Sequence, residues 1–166
     1  MLLWRISRHR DLKGTGALRA AARWHHAGRP IVYLAETPAA ALLEVCVHTT
    51  ANDVPPEFTL LKIEGPDFPE ADLTDPDLPD TDLPENKDKV ASIRLEDLPK
   101  NWRTRPEITR DLGTAWLEKN ETVLLRVPSA LVPETTNCLF NPAHRRAAKF
   151  RVVEAIKYPF DPRIKQ

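Results

Sequence analysis

Arg23-Trp24-His25-His26-Ala27-Gly28-Arg29-Pro30-Ile31-Val32-Tyr33-Leu34-Ala35-Glu36-Thr37-Pro38-Ala39-Ala40-Ala41-Leu42-Leu43-Glu44 reads as a loop, a short buried strand and a helix. Gly28-Arg29-Pro30 is a turn signal, and Ile31–Ala35 is an apolar run with two β-branched residues and an aromatic, the composition of a strand. Thr37 then stands at an N-cap position and Pro38 at the first helical position, where a missing N–H costs nothing. The helix that follows, to His48, is apolar nearly all round, which predicts burial. Glu44 is the exception on it. A carboxylate among apolar neighbours must be paired or hydrogen-bonded. Two readings stay open: a structural carboxylate paired with an arginine from elsewhere, with His48 as a candidate cation on its own helix, or a functional carboxylate in a cleft.

Outward from this stretch the chain supplies strands more than helices. Leu2–Ile6 reads as an opening strand with Trp4 and Ile6 on one face and Leu3 and Arg5 on the other. Ser7–Lys13 is basic, Gly14-Thr15-Gly16 is a turn, and Ala17–Ala22 reads as a short helix. Glu57–Ile63, Val90–Leu95, Glu121–Val127 and Arg151–Ile156 read as further strands, the last near a sheet edge, and Cys138–Phe140 is a short apolar piece ending in the turn signal Asn141-Pro142. Ile108, Leu112, Ala115 and Trp116 fall at helical spacing and predict an amphipathic helix from Pro106 to Lys119. Many strands, few helices and long connections predict an α+β fold, a single compact domain over residues 1–166 with a central sheet. The segment from Pro66 to Lys89, rich in Pro and Asp, predicts an extended surface excursion.

Composition removes several function classes. Lys+Arg and Asp+Glu both number 24, so no net field draws the whole chain to nucleic acid, and direct nucleic-acid binding is not expected. No apolar run approaches the ~20 residues of a membrane span. The N-terminus becomes charged within five residues, unlike a signal peptide, so a cytoplasmic location is expected. Cys46 and Cys138 form no CxxC pair and read as small core residues. The five histidines show no ligand spacing, and no metal site is expected.

The polar candidates left in apolar settings are Arg5, Arg23, Tyr33, Glu44 and Ser129. Two guanidiniums can hold a pyrophosphate, and an aromatic ring can face a flat or cationic heterocycle. One carboxylate can stabilise positive charge developing on a sugar during glycosidic cleavage. Ser129, at a strand exit, can orient that carboxylate or bond a ribose hydroxyl; no GxSxG surrounds it, so it is not read as a hydrolase nucleophile. Composition does not select among ligands that carry a phosphate and a sugar.

A resemblance narrows the choice. Trp4-Arg5, Gly14-Thr15-Gly16-Ala17, Arg23-Trp24, Gly28–Tyr33, Ala41–Glu44, Asn101-Trp102-Arg103, Leu112–Leu117, Arg126–Ala130, Asn141–His144 and Phe160–Arg163 follow one another in an order that resembles the RES-domain family, the toxin half of bacterial Xre–RES toxin–antitoxin pairs. The Arg, Glu and Ser of the family's name fall on Arg5 (or Arg23), Glu44 and Ser129. The resemblance implies a fold similar to ADP-ribosyltransferase toxins and degradation of NAD+ at the nicotinamide–ribose bond, with water or phosphate as acceptor. It implies catalytic roles for Glu44, Arg5 and Ser129, and substrate contacts from Arg23, Tyr33, Trp24 and His25. NAD+ is then substrate, not a resident cofactor. The implied partner is a helix-turn-helix, Xre-type antitoxin, with a homodimer of this chain inside the complex. Alternatives are an ADP-ribosyltransferase that modifies a macromolecule and a catalytically silent antitoxin-binding module. Where the family usually reads Gly-Gly-Arg-Trp-Asn, this chain has Ala21-Ala22-Arg23-Trp24-His25.

Overall fold

A computed structural model describes residues 1–47, 55–67 and 90–165. Among these residues seven strands form one sheet: β1 (Leu2–Ile6), β2 (Val32–Ala35), β3 (Glu57–Glu64), β4 (Ala91–Ser92), β5 (Leu124–Pro128), β6 (Thr136–Phe140) and β7 (Arg151–Pro159). Their order is β4-β5-β6-β2-β1-β3-β7. The β4–β5 pair is parallel and every other pair antiparallel, so the sheet is mixed. With two α-helices among the described residues, α1 (Pro38–Cys46) and α2 (Pro106–Lys119), the architecture is the expected α+β.

Strand alternation sorts the core onto two faces. Leu3, Val32, Leu34, Leu61, Ile63, Leu124, Cys138 and Phe140 share one, closed by Val90, Val123 and Phe150. On the opposite face, α2 brings Trp116 and Leu117 against Leu125, Val127 and Leu139, with Trp24 and Trp102 beside them. Further along that face, Ala41 of α1 packs with Ala35 and Leu60, flanked by Trp4 and Ile6. The two helices cover the two ends of one sheet face.

Local chemistry explains both helix starts. Thr37 accepts the Ala40 N–H at 3.1 Å while Pro38 occupies the first turn. Pro106 opens α2, and Asn120, in the left-handed region at φ 52°, closes it. Gly14 has φ 63°, and a Cβ there would lie 2.6 Å from the Ile31 carbonyl oxygen, so glycine is required where this turn meets the strand entrance.

Three expectations are revised. The helix predicted over Ala17–Ala22 is a 3₁₀ turn at Thr15–Leu18 followed by a bridge between Ala22 and His25, because later side chains capture the backbone of this loop. The strand predicted over Val90–Leu95 is shortened to Ala91–Ser92, and Leu95 begins a 3₁₀ turn. Helix α1 is not buried: Leu43 is 40% and Val47 52% exposed, and Ala41 is its only buried residue. An all-round apolar composition predicts burial, but this short helix packs on the apolar side chains of the sheet through Ala40 and Ala41. His48 and most of the Pro/Asp-rich segment, residues 68–89, lie outside the described residues. Among the described residues no helix is long and apolar enough to cross a membrane.

Candidate active site

Between α1 and α2 the sheet face is left open over β1 and β2, and this gap is a cavity of about 620 Å³. That size falls within the range of ~300–1,000 Å³ usual for small-molecule sites. Its walls come from Trp4, Arg5 and Ile6 of β1, Tyr33–Ala35 of β2, Asn137 of β6, Ala41, Glu44 and Val45 of α1, Pro106 and Arg110 of α2, and the loop Ala21–Arg23.

Glu44 is the carboxylate of this cavity. Ser129 Oγ–H donates to its Oε1 at 2.9 Å, and Asn137 Nδ2–H donates to the same oxygen at 2.6 Å. Among the described residues Glu44 is held by these two neutral donors and by no arginine. The Ser129 proton has its direction set: Oγ accepts the Leu131 N–H at 3.1 Å and faces the Val132 N–H at 3.4 Å, leaving its own hydrogen for Glu44. Ser129 is 2% exposed, just beyond β5, and is spent on orienting the carboxylate.

The opposite pole is cationic. Arg23 and Arg110 reach the cavity from the loop and from α2. Arg23 donates to the Arg103 carbonyl at 2.8 Å, and Arg110 Nε–H donates to the Ala22 carbonyl at 2.9 Å. Thr109 donates to the Arg23 carbonyl at 2.6 Å, and the His26 N–H donates to Thr114 Oγ1 at 3.0 Å. Gly113 lies between these clamps, its absent side chain giving room to the Trp24 carbonyl. One face of α2 therefore holds the arginine loop by its backbone. Arg5 borders the cavity, but alternation sets its side chain on the Leu3 side of β1, and its guanidinium donates to the Asp11 carbonyl at 3.3 Å. Burial lowers the Arg5 pKa, with Asp11 opposing.

Tyr33, on the cavity wall, is fixed by the same loop. Its hydroxyl accepts the Trp24 N–H at 3.0 Å and lies 2.9 Å from His25 Nδ1. His25 Nε2 is 3.1 Å from the Ala20 carbonyl, which can only accept, so Nε2 carries the proton and Nδ1 accepts from Tyr33. Burial lowers the His25 pKa and favours this neutral form; burial likewise raises that of Tyr33. His25 and Trp24 are each 2% exposed and neither lines the cavity; the Trp24 ring packs 6.0 Å from that of Trp102.

The structure thus brings Arg23, Tyr33 and Glu44 to one cavity, leaves Arg5 at its border with the guanidinium turned away to Asp11, sets Ser129 behind Glu44, and sets Trp24 and His25 behind Tyr33. Sequence reasoning missed Asn137 and Arg110. Alternation carried one pair back from Leu139 places Asn137 on the helix face, whereas Arg110 on an amphipathic helix looks like an ordinary solvent-facing residue.

A carboxylate held by two donors shares one cavity with two arginines on an open face of a mixed sheet, the arrangement of a candidate small-molecule site. The chain belongs to the RES domain family, which it matches over residues 2–161. It is 44% identical over 154 residues, 92% of each chain, to "Toxin Res" of Pseudomonas putida. It is 33% identical over 159 residues, 93% of this chain and 86% of the relative, to "Prs ADP-ribosylating toxin" of Sphingobium sp.. Its fold is similar to a chain in the crystal structure of the M. tuberculosis MbcT–MbcA toxin–antitoxin complex, with a TM-score of 0.65 and 20% identity over 98% of this chain and 85% of that one.

Proposed function

We propose that this chain is the toxin of a toxin–antitoxin pair and depletes NAD+ by breaking its nicotinamide–ribose bond. The observation that carries the reading is Glu44: Ser129 and Asn137 hold one carboxylate oxygen while the other has no partner among the described residues, in a cavity that Arg23 and Arg110 also line. Arg23 and Arg110 hold the pyrophosphate by charge-assisted hydrogen bonds. Tyr33 packs on the nicotinamide or its ribose. Glu44 bonds the ribose and stabilises the oxocarbenium-like charge as the C1′–N bond breaks. The bonding pair leaves with the ring nitrogen, so nicotinamide departs neutral and needs no general acid. Water then attacks C1′ and gives up a proton to solvent, forming ADP-ribose, or a phosphate oxygen attacks instead, forming the ADP-ribose phosphate ester. The work of Ser129 is to aim Glu44, while His25 and Trp24 act by fixing the Tyr33 hydroxyl.

The toxin names of the relatives and the toxin–antitoxin complex of the structural neighbour support the toxin role. On this reading the chain acts in the cytoplasm, and its partner is a helix-turn-helix antitoxin that binds two copies of it. The name of the Sphingobium relative supports a second reading, transfer of ADP-ribose to a macromolecule, which shares the bond broken and differs in acceptor.

The test is incubation of the purified protein with NAD+, with and without phosphate, resolving nicotinamide from ADP-ribose products, beside Glu44→Gln. Nicotinamide release that falls about 10²–10³-fold in the variant is expected from loss of one preorganised electrostatic contact. Equal rates in the two proteins would refute the role of Glu44. Label retained on a macromolecule would select the transferase reading.

A further inference from the structure

We infer that Asn137 is a positioning residue that divides the Glu44 carboxylate into one held and one working oxygen; the inference rests on the NAD+ cleavage proposed above. Both described donors to Glu44 converge on Oε1, from Ser129 at 2.9 Å and from Asn137 at 2.6 Å. Neither reaches Oε2. A carboxylate has about four acceptor positions, so two donors on one oxygen saturate it and leave the other to the cavity.

The two donors are not equivalent. Ser129 is enclosed in its own turn and does not line the cavity, whereas Asn137 is 8% exposed and forms part of the wall. The amide orientation follows from chemistry, because a carboxylate only accepts and the Nδ2 side must face it. Asn137 Oδ1 is then turned away, buried and without a hydrogen-bond partner among the described residues. An unsatisfied buried acceptor is a standing expense. The residue retains it while making one short bond to the reactive carboxylate, as expected of a side chain kept for aim more than for stability.

Asn137 sits at a rigid place for such a task. It pairs with Ala35 of β2 on one side and Val127 of β5 on the other, so its Cα is fixed within the sheet while Glu44 approaches from a largely exposed helix. The sheet aims the helix-borne group.

Two variants test this in the full chain. Asn137→Ala removes the donor; with Glu44 free to rotate, kcat should fall about 10²-fold, the effect of a displacement near 1 Å, with KM changed little. Asn137→Asp puts a second carboxyl against Glu44, and two carboxylates at this distance hold a proton between them on acidification. Above neutrality the pair repels and the variant is slow. As the pH falls from about 8 toward about 5, the introduced carboxyl takes up a proton, its O–H donates to Glu44 Oε1, and the rate recovers toward wild type.

The groups around Glu44 do not mimic this rescue. Arg23, Arg110 and Tyr33 share the cavity wall with Glu44, and His25, its pKa lowered by burial, lies behind Tyr33; all of them are the same in wild type and variant, so their effects cancel in the comparison. The wild-type profile serves as the reference. Unfolding midpoints confirm that each variant is folded, and Asn137→Ala carries the test if Asn137→Asp does not fold. Acid rescue of Asn137→Asp with a kcat-only defect in Asn137→Ala supports the inference. Wild-type kcat in folded Asn137→Ala overturns it alone, and a wild type that releases no nicotinamide overturns the cleavage reading and this inference together.

Discussion

Gly113→Ala sets two opposed effects against each other. Alanine in a helix interior is favoured over glycine by ~1 kcal/mol, so propensity alone predicts a more stable protein. The new methyl, however, would overlap the Trp24 carbonyl oxygen and lie 2.9 Å from its carbonyl carbon. Ordinary non-bonded contacts are ~3.5–4.0 Å, and the carbonyl oxygen is the closer atom, so α2 and the loop must separate by more than about 1 Å. That movement weakens the bond from Thr109 to the Arg23 carbonyl, 2.6 Å long, and the bond from Arg110 to the Ala22 carbonyl, 2.9 Å long. Two bonds at ~1 kcal/mol each, with ~1–2 kcal/mol of imperfect packing and ~1 kcal/mol returned by propensity, leave a net loss of about 2–3 kcal/mol.

Urea unfolding at constant m-value reads this loss directly, and thermal melting should fall by about 5–10 °C for a chain of this size. Because the displaced loop carries Arg23, KM for NAD+ should rise more than kcat falls, as for a lost ground-state contact. Gly16→Ala is the control, since a Cβ there meets nothing within 4 Å. A Gly113→Ala protein more stable than wild type with an unchanged KM would show that α2 does not clamp the arginine loop.

Tyr33→Phe keeps the ring but strands the Trp24 N–H and His25 Nδ1 in a buried setting, so thermal unfolding should report a loss of about 1–3 kcal/mol; an unchanged midpoint would mean the hydroxyl fixes nothing. The His25 pKa is lowered in the folded state, so on acidification the unfolded chain takes up the proton first. Stability is therefore complete above the unfolded value of ~6.5 and declines as the pH falls through it toward the folded value. His144 is shifted the same way by burial, so His25→Asn should reduce, without abolishing, the loss of unfolding midpoint between about pH 7 and about pH 5; an unaltered slope would show that His25 titrates as in the unfolded chain.

What was legible in the chain followed from periodicity and from polar residues out of place. The 3.6-residue pattern located Pro106–Lys119 to the residue, and Thr37-Pro38 marked the start of α1. Glu44 and Ser129 stood out because their surroundings are apolar, and the structure joins them by a hydrogen bond. The exposure of α1 was not legible, since apolar composition states what a helix can bury and not what stands ready to cover it. Nor were the roles of Trp24 and His25. A loop whose backbone is held by Thr109, Arg110 and Thr114 from more than eighty residues away has no local signal for which side chains turn inward.

Register explains why a cavity opens where it does. Trp4 pairs with Ala35, and Ala35 with Asn137, so three strands place these side chains in one row across the helix-side face. Same-face neighbours in such a row touch when they are large. Here the middle residue is alanine, and Trp4 and Asn137 stand on either side of a low floor. Neither helix fills the space: α1 presents Ala41 to the sheet, and α2 is set against the Trp24 loop farther along. A one-residue slip of β2 would put Leu34 or Glu36 in the row and turn Tyr33 to the opposite face. The site therefore depends on the pairing that buries Val32 and Leu34 beneath the sheet. The hydrophobic pattern that fixes the core also clears the floor on which Glu44 and the arginines face one another.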